Sequence, residues 1–396
     1  MNAVTPLRIL NFATFLQYQR FVMPISFLFY LHNGLNFSDF ILFQSIFNIT
    51  CLVAKIPMGF LGDIFSKKSM LIISYFLFML RVILWIFFSG FYIVLAGEIL
   101  YGLFKALYRG NVDSYIYDWL KKNNVEQNIL PRYGKLSFWT SMGSALSCFV
   151  GVILYKAFGF RSILCIELIL QIFALSLLFF IPNIKSKTVK KKSKKYFRAL
   201  GVSVIRITRN VKVNYYVYYS AILTGLTGVF VWNFQPLLKA SSAPIILFGI
   251  VSFVNQTLRG VGGLFAKQFT AKWHSKKLIN IEYIATLCSF LLILSAYQMK
   301  NYIFISGVIL TICLAICLFV IFNIYTVSKI HENTNDFNRA TTSSTNTFFG
   351  DFASFFFLLS FKYLYDLCGI TITLATFFIL FSVLLFPRNK FLNKSV

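Results

Sequence analysis

The chain has 396 residues, 58% of them hydrophobic and 13% charged, with a formal net charge of +26. A soluble domain is about half apolar and about a quarter charged, so no water-facing fold hides this much apolar surface and the surroundings must be lipid. The Lys and Arg excess lies in loops between apolar runs, which argues against nucleic acid as a partner.

A bilayer span takes about 20 apolar residues. Twelve such runs occur in chain order, at 7–31, 38–61, 69–90, 92–117, 132–157, 160–182, 213–238, 243–268, 278–297, 301–327, 341–364 and 368–387. The first is too long for a secretory signal, lacks a small-residue cleavage site, and reads as the first span. Between the second and third runs lies Gly59-Phe-Leu-Gly62-Asp63-Ile-Phe-Ser-Lys67-Lys68. Its glycines let helices approach closely, its acid favours a helix N-terminus, and its lysines fit a cytoplasmic turn.

On the fourth run, Glu98, Lys105, Arg109 and Asp113 fall within about 80° of one another at helical spacing, one charged stripe that should face protein or water. Arg109 and Asp113 are one turn apart and can pair. The fifth run is rich in small residues, Ser141-Met-Gly143-Ser-Ala145 and Gly151. Residues 183–212 are basic, without an acid, and should stay solvated. Within them, 196–207 reads as an amphipathic helix on anionic lipid.

The second half echoes the first. Gly260-Val-Gly262-Gly263 with Lys276-Lys277 stands where Gly59 to Lys68 stood, and Arg339-Ala340-Thr341 follows the tenth run as Arg132-Tyr133-Gly134 follows the fourth. Such internal symmetry is typical of secondary transporters, which bind substrate near mid-membrane. The expected organisation is a six-helix bundle over 1–182, a cytoplasmic linker over 183–212 and a second bundle over 213–396. With the N-terminus inside, most of the 38 Lys and Arg are cytoplasmic, while Lys156, Arg161, Lys239, Lys300 and Lys362 fall outside. That asymmetry follows the positive-inside rule and places both termini in the cytoplasm, with basic loops against anionic membrane lipids. The seven cysteines all sit in apolar runs without a CxxC pair and read as small buried hydrophobes. Cys313 and Cys317 share a helix face but make a poor metal site alone, so no metal or cofactor is expected.

The order of these features resembles the major facilitator superfamily, in particular its drug-exporter-like bacterial branch. The resemblance rests on Pro57 to Lys68, on Gly97-Glu98-Ile-Leu-Tyr-Gly102 with Arg109-Gly110-Asn-Val-Asp113 and Tyr117-Asp118, and on Arg339-Ala340-Thr341. It implies twelve helices in two pseudo-symmetric six-helix bundles, rocker-switch alternating access and a monomer. It also implies that Gly59, Asp63, Lys67 and Lys68 latch the halves on the cytoplasmic side. Lys55, Ile64 and Ser66 depart from the usual pattern, and the fifth run lacks the proline of the antiporter signature.

Ionisable groups within lipid usually face a cavity or a partner. Those here are Arg20, Lys55, Arg81, Glu98, Lys105, Arg109, Asp113, Arg259 and Asp351, with Glu167 after them. A membrane carboxyl that takes up and releases a proton can couple transport, a role assigned first to Glu98 and second to Asp351. Arg20, Arg81 and Arg259 either neutralise those acids or bind an anionic group of the cargo. Lys105, Arg109 and Asp113 either charge the cavity or form a structural ion-pair network. Gln17, Asn48, Asn233, Gln235, Asn255 and Gln256 either line the cavity or bond helix to helix. No HExxH, GxSxG or P-loop points to an enzyme. The expectation is therefore an all-α secondary transporter in the cell membrane that exports a small amphipathic molecule against protons. Import of a small anionic or zwitterionic metabolite is the alternative, ahead of a transporter-like sensor.

Overall fold

The computed structural model describes residues 5–123, 125, 129–184, 211–272, 275–299, 301–332 and 339–386. Every regular element among them is helical. In order these are α1 (Thr5–Gln17), a 3-10 turn (Met23–Ile25), α2 (Ser26–His32), α3 (Phe37–Ile64), α4 (Lys67–Phe87), α5 (Phe91–Lys122) and α6 (Ile129–Phe179). They continue as α7 (Val211–Ala240), α8 (Ile245–Lys272), α9 (Ser275–Met299), α10 (Tyr302–Glu332) and α11 (Arg339–Leu384). The basic stretch 185–210, with its expected surface helix, lies outside the described residues.

Local chemistry sets the helix starts. Asn36 and Asp39 form a reciprocal capping box at α3, and the Ser66 hydroxyl accepts the Ser69 amide at α4. Asn301 accepts the Ile303 amide at 2.9 Å where α10 begins. Among the described residues, nine helices are long and apolar enough to cross a membrane. Two of them, of 51 and 46 residues, are long enough to do so twice. α6 turns at Gly159 (φ 75°, ψ −179°) and α11 at Gly369 (φ 75°, ψ 176°), a left-handed backbone that a side chain strains. These turns fall between the fifth and sixth and between the eleventh and twelfth expected spans. Large exposed apolar side chains such as Phe76, Tyr92, Phe180, Ile303 and Val383 would be a liability in water and suit lipid.

The first span departs from expectation. It reads as one run, 7–31, but α1 is only 13 residues long and cannot cross about 30 Å of hydrocarbon alone. The chain unwinds from Tyr18 to Val22 and resumes through the 3-10 turn, which holds Pro24, into α2. Proline has no amide and disfavours a helical residue before it, which weakens the helix at this point.

Two compact units result: Met1–Lys190 with Pro244–Gly260, and Lys191–Ala243 with Val261–Val396. The opening part of α8 groups with the first unit. There Gly249 lies against the Cys148 carbonyl and Val152. Within the first unit α1 packs on α6, and α4 on both α5 and α6. The second unit repeats these pairings: α7 on α11, and α9 on both α10 and α11.

Candidate functional site

The break in the first span exposes backbone groups where no water is present, so they need internal partners. The second limb of α6 supplies them. The Phe21 amide donates to Glu167 Oε2 at 3.0 Å, and the Val22 amide bonds the same carboxyl. Gln171, one turn further along, donates through Nε2 to the Gln17 carbonyl at 3.1 Å. The first limb approaches from the other side, with Gly151 directly against the Phe21 backbone.

Arg20 projects from the break into a buried aromatic box. Its guanidinium donates through Nη1 to the Tyr101 hydroxyl and through Nη2 to Gln17 Oε1 at 3.1 Å. It lies 4.3 Å from the Tyr18 ring centre and 4.9 Å from that of Tyr101. Phe78 and Phe104 stand slightly further away. Such contacts offset part of the desolvation of a buried cation.

Arg81 of α4 meets the same ring of Tyr101 at 4.7 Å and covers Trp85 at 3.8 Å. Its Nη2 forms a salt bridge with Glu98 Oε1 at 3.3 Å. Glu98 is 3% exposed, and Tyr30, itself hydrogen-bonded by Gln44 Nε2 at 3.3 Å, bonds the same carboxyl. Glu98 and Tyr101 are three residues apart on α5 and so share a face. Two arginines and two glutamates thus gather in the core of the first unit. Several polar atoms there find no partner among the described residues: Gln17 Nε2, Gln19 Nε2, Arg20 Nε, Arg81 Nε and Gln171 Oε1. Orphans of this kind cost about 1–3 kcal/mol each unless a ligand or water meets them.

Of the residues singled out by the sequence, Arg20, Arg81 and Glu98 come together, with Arg81 as the counter-ion of Glu98. Lys105 lies half-buried over the Phe47 ring at 4.6 Å. Arg109 and Asp113 are exposed and within electrostatic reach of each other. The stripe on α5 therefore differs along its length, with Glu98 buried and Arg109 and Asp113 exposed. Arg259 is exposed and neighbours Arg109, a like charge. Asp351 is half-buried in α11 of the second unit. Lys67 neighbours Asp118, and Lys68 Nζ donates to the Phe179 carbonyl at 2.7 Å, tying α4 to the end of α6. The surroundings of Gly59 and the side chain of Asp63 lie outside the described residues.

Sequence reasoning missed Gln171 and undervalued Glu167, although two polar residues four apart in an apolar run were a readable sign of a common task. It also missed Glu282 of α9, which is 4% exposed in the second unit.

A charged and aromatic cluster this deep among spans that repeat in two halves is the architecture of a membrane transporter. The chain belongs to the Major Facilitator Superfamily, which it matches over residues 10–358. Among solved structures it is similar to the nucleoside transporter NupG, with a TM-score of 0.78 over 99% of each chain at 15% identity. It is also similar to a bacterial homolog of the human lysosomal transporter Spinster in an inward-facing and occupied conformation. That match has a TM-score of 0.69 at 12% identity and covers 98% of this chain and 95% of the other. At such identities the likeness concerns the fold. No curated protein matches the sequence. The protein is a multi-pass membrane transporter of the major facilitator type, and its substrate class is small molecules.

Proposed function

We propose that this protein moves a small amphipathic molecule by alternating access and that Glu98 couples the movement to protons. The observation that carries this reading is the buried Arg81–Glu98 pair beside the broken first span. Protonating Glu98 removes the charge that Arg81 pairs with, so one proton changes the electrostatics of the whole aromatic box. The box offers ring faces to an apolar body, and the orphan polar atoms offer bonds to a polar edge. Proton-driven export, by a monomer in the cell membrane, is the direction favoured by the resemblance to drug exporters.

Import of a small polar metabolite is the second reading, favoured by the donors Gln17 Nε2, Gln19 Nε2 and Arg20 Nε that await acceptors. NupG, a nucleoside transporter, is compatible with it. Equal numbers of Arg and Glu in the cluster favour a neutral or zwitterionic cargo over an anion. Asp351 remains the second coupling candidate. Proteoliposomes with an imposed pH gradient test both readings. Glu98→Gln should abolish gradient-driven flux while sparing substrate exchange, and the sign of wild-type flux gives the direction. Gradient-driven flux unchanged in the variant would remove Glu98 from the mechanism.

A further inference from the structure

The second unit holds a buried acid with a different setting. Glu282 of α9 faces a small cavity between α7, α9 and α10 that has room for about one water molecule. Thr227, Thr286 and Ser289 line the same cavity, and the rest of its wall is apolar. Thr227 spends its hydroxyl proton on the Leu223 carbonyl at 2.8 Å, and Ser289 spends its own on Ala285 at 2.7 Å. Both therefore turn lone pairs, rather than protons, to the surroundings. Among the described residues Glu282 has no hydrogen-bond or ion-pair partner and no basic side chain acting on it. The titratable groups around it are Tyr219 from α7 and Cys317 from α10, with Tyr283 next to it on α9. Tyr219 donates to the Ile279 carbonyl, and Tyr283 donates to the Ser382 carbonyl of α11.

A bare carboxylate in so dry a place is expensive unless a positive charge meets it. Glu98 has Arg81, whereas among the described residues the polar groups facing Glu282 across a gap of water size are hydroxyl oxygens. An oxygen-only set suits a hard cation, and one carboxylate supplies one negative charge. No group of three or more His, Cys, Asp or Glu capable of holding a metal ion occurs among the described residues, which sets the cavity apart from a multivalent-metal site.

We infer that Glu282, Thr227, Thr286 and Ser289 form a binding site for one small monovalent cation, either Na+ or a proton carried on the carboxyl. The site is separate from the Arg81–Glu98 pair, and its occupancy is measurable without transport. The test uses the full chain in detergent and reads the thermal unfolding midpoint. One arm replaces NaCl by choline chloride at fixed ionic strength, and the other varies pH without Na+. A midpoint that climbs with Na+ identifies sodium. A midpoint indifferent to Na+ that falls as pH rises identifies the proton. Glu282→Gln should flatten whichever response the wild type shows. Thr286→Val keeps the acid and should weaken a sodium response by about tenfold in apparent affinity while leaving a proton response in place. It also serves if the Gln variant fails to fold. A wild-type midpoint that responds to neither cation overturns the inference, as does an unaltered response in Glu282→Gln.

Discussion

Arg81 has two tasks, holding the Glu98 carboxylate and lying over Trp85 and Tyr101. Removing one partner of a buried pair leaves the other charge uncompensated, which costs about 3–5 kcal/mol, whereas replacing both with apolar groups is often neutral. Arg81→Ala should therefore lower thermal stability sharply, and Arg81→Met with Glu98→Leu should recover most of it. An additive double mutant would show that the two side chains are not coupled. At Glu167, Leu should destabilise by about 1–3 kcal/mol because the Phe21 amide loses its acceptor, while Gln keeps an oxygen there and should be milder. Arg20, Arg81 and Glu98 were legible in the sequence because charge within an apolar run is conspicuous. Neutralisation of Glu98 by an arginine was one of two readings, but the choice of Arg81 was not legible, since the pair crosses from α4 to α5 and no spacing rule reaches that far. Glu282 stands close behind Lys276-Lys277, where charge at the start of a span is unremarkable, and nothing in the sequence shows the cavity it faces.

At the scale of elements, α6 closes on the first span through small residues. A Cβ on Gly151 would lie 2.5 Å from the Phe21 carbonyl oxygen and 2.8 Å from its Cα, contacts that only backbone movement relieves. Gly151→Val should lower the unfolding midpoint and the yield of folded protein, by roughly 1–3 kcal/mol or more. Gly307 on α10 has nothing within 4 Å of its would-be Cβ and is the control, where Ala should be tolerated. Equal effects at the two positions would argue against the close approach. The small-residue stretch around Gly143 and Gly151 was visible in the sequence, but its close approach to the first span and the unwinding at 18–22 were not. Pro57 and Pro236 sit within continuous α3 and α7, so a proline in an apolar run does not tell a broken span from an intact one. What distinguishes the first span is that Glu167 and Gln171 are in place to receive the freed backbone, a tertiary fact.

For the whole molecule, the number of spans was legible because the thickness of the bilayer imposes a run length that hydropathy reveals directly. The recurrence of helix pairings and of the glycine turns at Gly159 and Gly369 gives the repeat suspected from Gly59 and Gly260 a firmer footing. Membership of Pro244–Gly260 in the first unit was not legible, since an apolar run carries no label for its neighbour. Twelve crossings return the chain to its starting side. Tags at the two ends should accordingly be protected or accessible together in sealed vesicles, and opposite accessibility would refute the even count.

A span cut in two and sewn to its neighbour behaves differently from a rod. The stitches from Glu167 and Gln171 fall on either side of Arg20, so they hold the cut ends at Gln17 and Phe21 as a pair of short leashes. Both stitches come from the second limb of α6, so they tie that limb to the backbone that carries the Arg20 guanidinium against Tyr101. Should Arg20 meet the cargo, as the proposed function has it, helix tilt would reach it through two backbone hydrogen bonds.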